Sequence, residues 1–163
     1  MRRTLTTLVT SLALAGCSVV GIRSGTEEPR FEVVAQLEGG VEVRRYAARL
    51  VAETVVPGQD DTAARGAAFR RLAGFIFGGN QDETKIAMTA PVETKAGTGG
   101  LAMRFTMPAG YTRATLPEPT DRGVRILEAP EATLAVLRFT GSTAAEAVAA
   151  REAELGAVLA GSS

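Results

Sequence analysis

The chain has 163 residues, 18 basic and 18 acidic side chains, a single cysteine, and neither histidine nor tryptophan. A balanced charge with no basic stripe argues against a nucleic-acid partner. One cysteine leaves no intramolecular disulfide, and the missing histidine removes every Ser-His-Asp, Cys-His or imidazole-ligand arrangement.

At the N-terminus, Arg2 and Arg3 form a positive patch and Leu5 to Ala15 a short apolar run. Leu14-Ala15-Gly16-Cys17 then supplies the small residues of a signal-peptidase site. The run falls short of the ~20 residues of a comfortable membrane span. A cysteine directly after Leu-Ala-Gly resembles a bacterial lipobox. That resemblance implies a signal peptide over 1–16 and a palmitate-type acyl anchor on Cys17. The alternatives are an ordinary signal peptide with an incidental Cys17, or a single membrane anchor. Ser18 in place of aspartate implies sorting to the outer membrane, facing the periplasm. Residues 17–30 read as a lipidated N-terminus and polar tether, and 31–163 as one domain with a modest core. Without Arg2 and Arg3 the balance moves two charges to the acidic side.

Within the domain, Val41 to Val56 reads as two strand-like runs around a turn at Ala47-Ala48. Thr62 to Phe77 reads as a helix stopped by Gly78-Gly79-Asn80, residues that tolerate positive φ. Ile86 to Thr94 alternates as a strand, with Pro91 marking an edge, a bulge or a strand end. Leu101 to Met107 is a further strand. Val124 to Phe139 repeats the opening pattern around Pro130-Glu131, and Thr143 to Ala160 repeats the helix. The expected fold is α+β. Two pseudo-repeated strand-strand-helix-strand-strand units form a curved antiparallel sheet or distorted barrel with two helices packed against it. By this symmetry the C-terminal strand pair of the second unit is missing, which leaves a strand edge without a neighbour.

Lys85-Ile86-Ala87-Met88-Thr89-Ala90-Pro91-Val92 after a helix ending in Gly-Gly-Asn resembles the SOUL haem-binding family. Met103-Arg104-Phe105-Thr106-Met107-Pro108, Leu116-Pro117-Glu118-Pro119-Thr120-Asp121 and Ala135-Val136-Leu137-Arg138-Phe139-Thr140-Gly141 extend the resemblance in order from about Phe31 to about Leu159. It implies an α+β fold and haem or a related tetrapyrrole as ligand, bound by a non-catalytic carrier or buffer in the bacterial envelope.

The family's proposed haem surface lies on the first helix, which points to Phe69, Leu72 and Ile76 under the macrocycle and Arg65 on a propionate. The plainer alternative is that this apolar arc packs on the sheet and Arg65 lays its stem along the core edge toward Asp61. On the second helix Ala144, Ala147, Val148, Leu155, Val158 and Leu159 share a face with Arg151, read as structural.

Haem iron is normally held by His, Cys, Met or Tyr. Met88 in the signature segment is the foremost of the remaining donors, ahead of Met103, Met107, Tyr46, Tyr111 and Lys85. A methionine on a strand is more often core filler. Any bound haem is therefore expected without a strong axial ligand.

No nucleophile elbow, phosphate loop or dinucleotide fingerprint is present, so the chain reads as no enzyme. Glu53, mid-strand, either faces a ligand or pairs with a neighbouring arginine. A carboxylate free to meet a cation would favour the second reading, a binding module for another flat or cationic amphiphile like the effector-binding domains of drug-responsive regulators. A third reading is an envelope lipoprotein with no ligand.

Overall fold

The computed structural model describes residues 26–58, 62–142 and 144–162. Within them lie seven strands and two α-helices, arranged as two open antiparallel sheets with one helix against each. The fold is α+β, and the sheets do not close into a barrel.

The expected hairpins around Ala47-Ala48 and Pro130-Glu131 are replaced by a crease. β2 (Val41–Tyr46) runs on into β3 (Arg49–Val56), and β6 (Val124–Ala129) into β7 (Ala132–Leu137). β2 pairs with β7, from Val41 opposite Leu137 to Tyr46 opposite Ala132. β3 pairs with β6, from Arg49 opposite Ala129 to Thr54 opposite Val124. The register is the same on both sides of the crease, so the two halves are joined through one long bent ribbon. Pro130 has no N–H to give, and the ladder lapses where it sits. Around this ribbon β1 (Phe31–Gln36) adds to β2, giving the order β1-β2-β7. β5 (Gly100–Thr106) and β4 (Val92–Gly97) add to β3, giving β4-β5-β3-β6.

The core lies between the four-stranded sheet and α1 (Thr62–Ile76). Ala64, Ala68, Leu72, Phe75 and Ile76 recur at helical spacing and are all buried. They pack on Ala52 and Val56 of β3, Leu101, Met103 and Phe105 of β5, and Val124 of β6. The helix stop is built from three residues with different tasks. Gly78 adopts φ 114°, which a side chain resists. A Cβ on Gly79 would stand 2.6 Å from the Gly74 carbonyl oxygen. Asn80 is 1% exposed, and its amide nitrogen donates to the carbonyls of Phe75 (3.0 Å) and Thr84 (2.8 Å). Its oxygen accepts the Thr84 N–H at 3.1 Å.

The signature segment is not a strand before Val92. Its backbone groups are claimed one at a time: Ile86 N–H donates to the Ile76 carbonyl (2.8 Å) and Ala90 N–H to that of Glu27 (2.9 Å). The Thr89 hydroxyl donates to the Thr106 carbonyl. Alternating side chains here serve an extended link that ties the end of α1 to β5, and regular pairing resumes only after Pro91, whose peptide bond is cis. The polar stretch ahead of β1 is fastened at Glu27, whose carboxylate accepts the Ala109 N–H at 2.8 Å.

The second half is thinner. α2 (Ala145–Gly161) lies against β7, and none of its described side chains is buried. β3 is flanked by β5 and β6, but among the described residues β7 pairs with β2 alone. Val33, Leu134, Phe139 and Leu159 stay exposed on this half. In the same sheet Arg44 is buried over the Phe31 ring, 4.2 Å from its centroid. Burial lowers its proton affinity, yet the hydrogen bonds it donates to Tyr46 and Glu42 outweigh it and hold the guanidinium above its ordinary pKa.

Candidate functional site

The buried stripe of α1 is centred on Ala68 and Leu72. At about 100° per residue, Phe69 falls roughly 90° from that centre. It is accordingly 42% exposed, and its ring meets Phe105 of the sheet edge-to-face with centroids 5.4 Å apart. Arg65, one turn earlier, is half-buried, and Ala73, one turn later, is half-buried too. One further turn on, Phe77 continues the helical pattern with its N–H on the Ala73 carbonyl at 2.9 Å, and its ring is 66% exposed. Arg65, Phe69, Ala73 and Phe77 thus follow one four-residue row that winds outward by about 40° per step, with the backbones of the two exposed aromatics about 12 Å apart along the axis. Exposed aromatic rings this close together are a surface a flat apolar molecule can cover.

Leu72 and Ile76 do not join this edge. They are 0% and 1% exposed and fill the core between α1 and the sheet. Met88 is half-buried and packs on the margin of the same cluster. The five expected site residues are therefore divided: Arg65 and Phe69 reach the surface edge, Leu72 and Ile76 lie beneath it, and Met88 flanks the core. Phe77 is the exposed ring that sequence reading passed over. Its position directly before Gly78-Gly79, just beyond the buried stripe, was the available signal.

Glu53 is settled by register. It lies opposite Arg104 on β5 and opposite Arg125 on β6. Its Oε2 accepts Arg104 Nε at 2.7 Å and its Oε1 accepts Arg125 Nη2 at 2.7 Å. The carboxylate is buried while both guanidinium groups extend toward solvent. Both oxygens are committed, so this group has no free valence for a cationic ligand. The alternation of β3 also turns Glu53 to the side opposite Ala52 and Val56, away from α1.

The residues at the α1 edge fit the apolar body and carboxylates of a porphyrin better than they fit its iron. Phe69 and Phe77 offer ring surface, and Arg65 is a half-buried cation already engaged one turn before Phe69. Met103 and Met107 are 3% and 4% exposed, deep in the core cluster. Among the described residues no group of three or more His, Cys, Asp or Glu could hold a metal ion, and no helix is long and apolar enough to cross a membrane. Cys17 lies outside the described residues.

Comparison with known proteins gives two findings. A sequence model of the SOUL heme-binding protein family matches residues 26–163. The mouse protein "Heme-binding protein 2" is 26% identical over 137 residues, covering 75% of this chain and 66% of that relative. The match therefore spans about two thirds of the mouse protein's length.

Proposed function

We infer the function from one premise: this chain belongs to the SOUL heme-binding protein family. It binds haem or a related tetrapyrrole and carries or buffers it without transforming it. The observation that carries this reading is the pair of exposed rings on the outer side of α1 and at its end, Phe69 one turn after Arg65 and Phe77 two turns further on. When bound, haem supplies the iron and the chromophore. The chain supplies apolar area from the rings and a charge partner for a propionate from Arg65. With no histidine in the chain, no imidazole reaches the iron. The cationic-amphiphile reading loses its main support, because Glu53, the one buried carboxylate among the described residues, is already shared by two arginines.

The test is a haemin titration of wild type, Phe69→Ala and Arg65→Ala, repeated with haem dimethyl ester. Phe69→Ala is expected to lose about 1–2 kcal/mol for both ligands, since its contribution is apolar area. Arg65→Ala is expected to lose about 1–3 kcal/mol for haemin and little for the ester. Unchanged affinity in both folded variants would move the site away from this edge.

The same reading includes an envelope location, with Cys17 acylated after removal of residues 1–16. Leu14-Ala15-Gly16-Cys17 supports it. Mass spectrometry of the protein recovered from membranes is expected to find acyl chains on Cys17 and none after Cys17→Ser. A wild-type product without acyl chains, beginning at another residue, would contradict it.

A further inference from the structure

Beside the crease in the long ribbon lies a cavity of about 440 Å³, lined by none of the α1 edge residues and within the size range of small-molecule sites. Its wall combines Leu50, Met107, Pro29 and Tyr111 with polar side chains that include Arg49 and Thr106. The two are neighbours because Met107 N–H donates to the Leu50 carbonyl at 2.9 Å, where β3 and β5 run together.

Arg49 is held in place but only partly used. Its Nη2 donates to Glu93 at 2.9 Å, and its guanidinium lies 5.3 Å from the centre of the Tyr46 ring. Its Nε and Nη1 are buried without a hydrogen-bond partner, and so is the Thr106 hydroxyl oxygen, on a residue only 4% exposed. Buried donors left without a partner are destabilising, and folded proteins rarely carry them without a reason. Of the other charges on the wall, all but the Glu27 carboxylate are paired or cancel. Glu27 accepts the Ala109 N–H, Glu28 pairs with Arg138, and Arg113 pairs with Glu118. Arg30 and Glu128 stand exposed at the rim with opposite signs. Arg49 and Thr106 thus bring to the wall donors that lack an acceptor, next to apolar surface.

We propose that this cavity binds an organic carboxylate with an apolar body, its head group on Arg49 and Thr106. A guanidinium with free N–H groups meets a carboxylate through charge-assisted hydrogen bonds, and a hydroxyl adds a further donor. The site is separate from the aromatic edge of α1 and does not depend on haem binding there.

The test uses the isotopically labelled full chain titrated with decanoate, decanol and decylamine, followed by amide chemical shifts. Decanoate is expected to bind at least about tenfold tighter than decanol, the worth of one charge-assisted contact, and decylamine not at all. The shifts are expected at residues 47–50 and 106–113. Arg49→Gln and Thr106→Val are each expected to reduce the preference for decanoate over decanol to within about threefold. Wild-type shifts need no variant to fold, and Thr106→Val is close to isosteric should Arg49→Gln unfold. Equal binding of decanoate and decanol would overturn the proposal. So would shifts confined to residues 65–77, or absence of saturable binding, which would leave ordered water as the partner of these donors.

Discussion

Asn80→Ala is expected to lower the stability of the domain by about 2–4 kcal/mol. The side chain is buried and makes three hydrogen bonds, to the Phe75 carbonyl, the Thr84 carbonyl and the Thr84 N–H. Each such bond contributes about 1 kcal/mol net, and the groups abandoned in a dry site add the cost of being left unmade. Phe75 and Ile76 are core residues in the turn that Asn80 closes, so loosening it also loosens packing. Asn80→Asp keeps an acceptor for the Thr84 N–H but turns a second oxygen toward two carbonyls, and is expected to be at least as damaging. Urea denaturation followed by circular dichroism measures both. A loss below about 1 kcal/mol for Asn80→Ala would mean that water replaces the side chain and that the helix stop rests on its glycines.

Leu72→Ala carries the second large effect, about 3–4 kcal/mol. The side chain is 0% exposed between α1 and the sheet, and truncation there removes buried methyl groups and leaves a cavity. The same substitution separates core from site. If Leu72 serves packing alone, haemin affinity of the folded variant stays within about twofold of wild type. Phe69→Ala, at the exposed edge, has the opposite profile, with a loss of stability within about 1 kcal/mol and a loss of affinity. Denaturation curves and haemin titrations of the two variants side by side are the check. A Leu72→Ala protein of near-normal stability with strongly weakened haem binding would place the macrocycle deeper than the aromatic edge.

Much of the first unit was legible because its signals are local. The spacing of Ala64, Ala68, Leu72, Phe75 and Ile76 specifies one helical face, and Gly78-Gly79-Asn80 specifies its stop. Which members of an apolar arc are covered was not legible, because that depends on where the arc's centre meets the sheet. Leu72 meets it and Phe69 does not. The pairing of strands was also out of reach. Two apolar runs flanking Ala47-Ala48 have the pattern of a hairpin, yet each pairs across to Val124–Ala129 and Ala132–Leu137 instead. Alternation in Ile86 to Ala90 was read as a strand, but those backbone groups answer to the end of α1 and to Glu27. Glu53 stood between a ligand role and an arginine partner, and only the register, which sets Arg104 and Arg125 on either side of it, decides between them. Arg49 and Thr106 carry no motif at all, since their meeting follows from the β3–β5 register and the crease beside it.

The central claim is that this chain binds haem through apolar surface and propionate charge, without a strong axial bond. Equilibrium titration of the full wild-type chain with haemin, followed across the Soret and visible bands, tests it most directly. Saturable one-to-one binding is expected, with a broad Soret band and without the sharp low-spin bands of two strong axial ligands. No saturable change would contradict haem binding itself. A sharp low-spin spectrum lost on Met88→Ala would contradict the absence of an axial bond and make that sulfur a ligand.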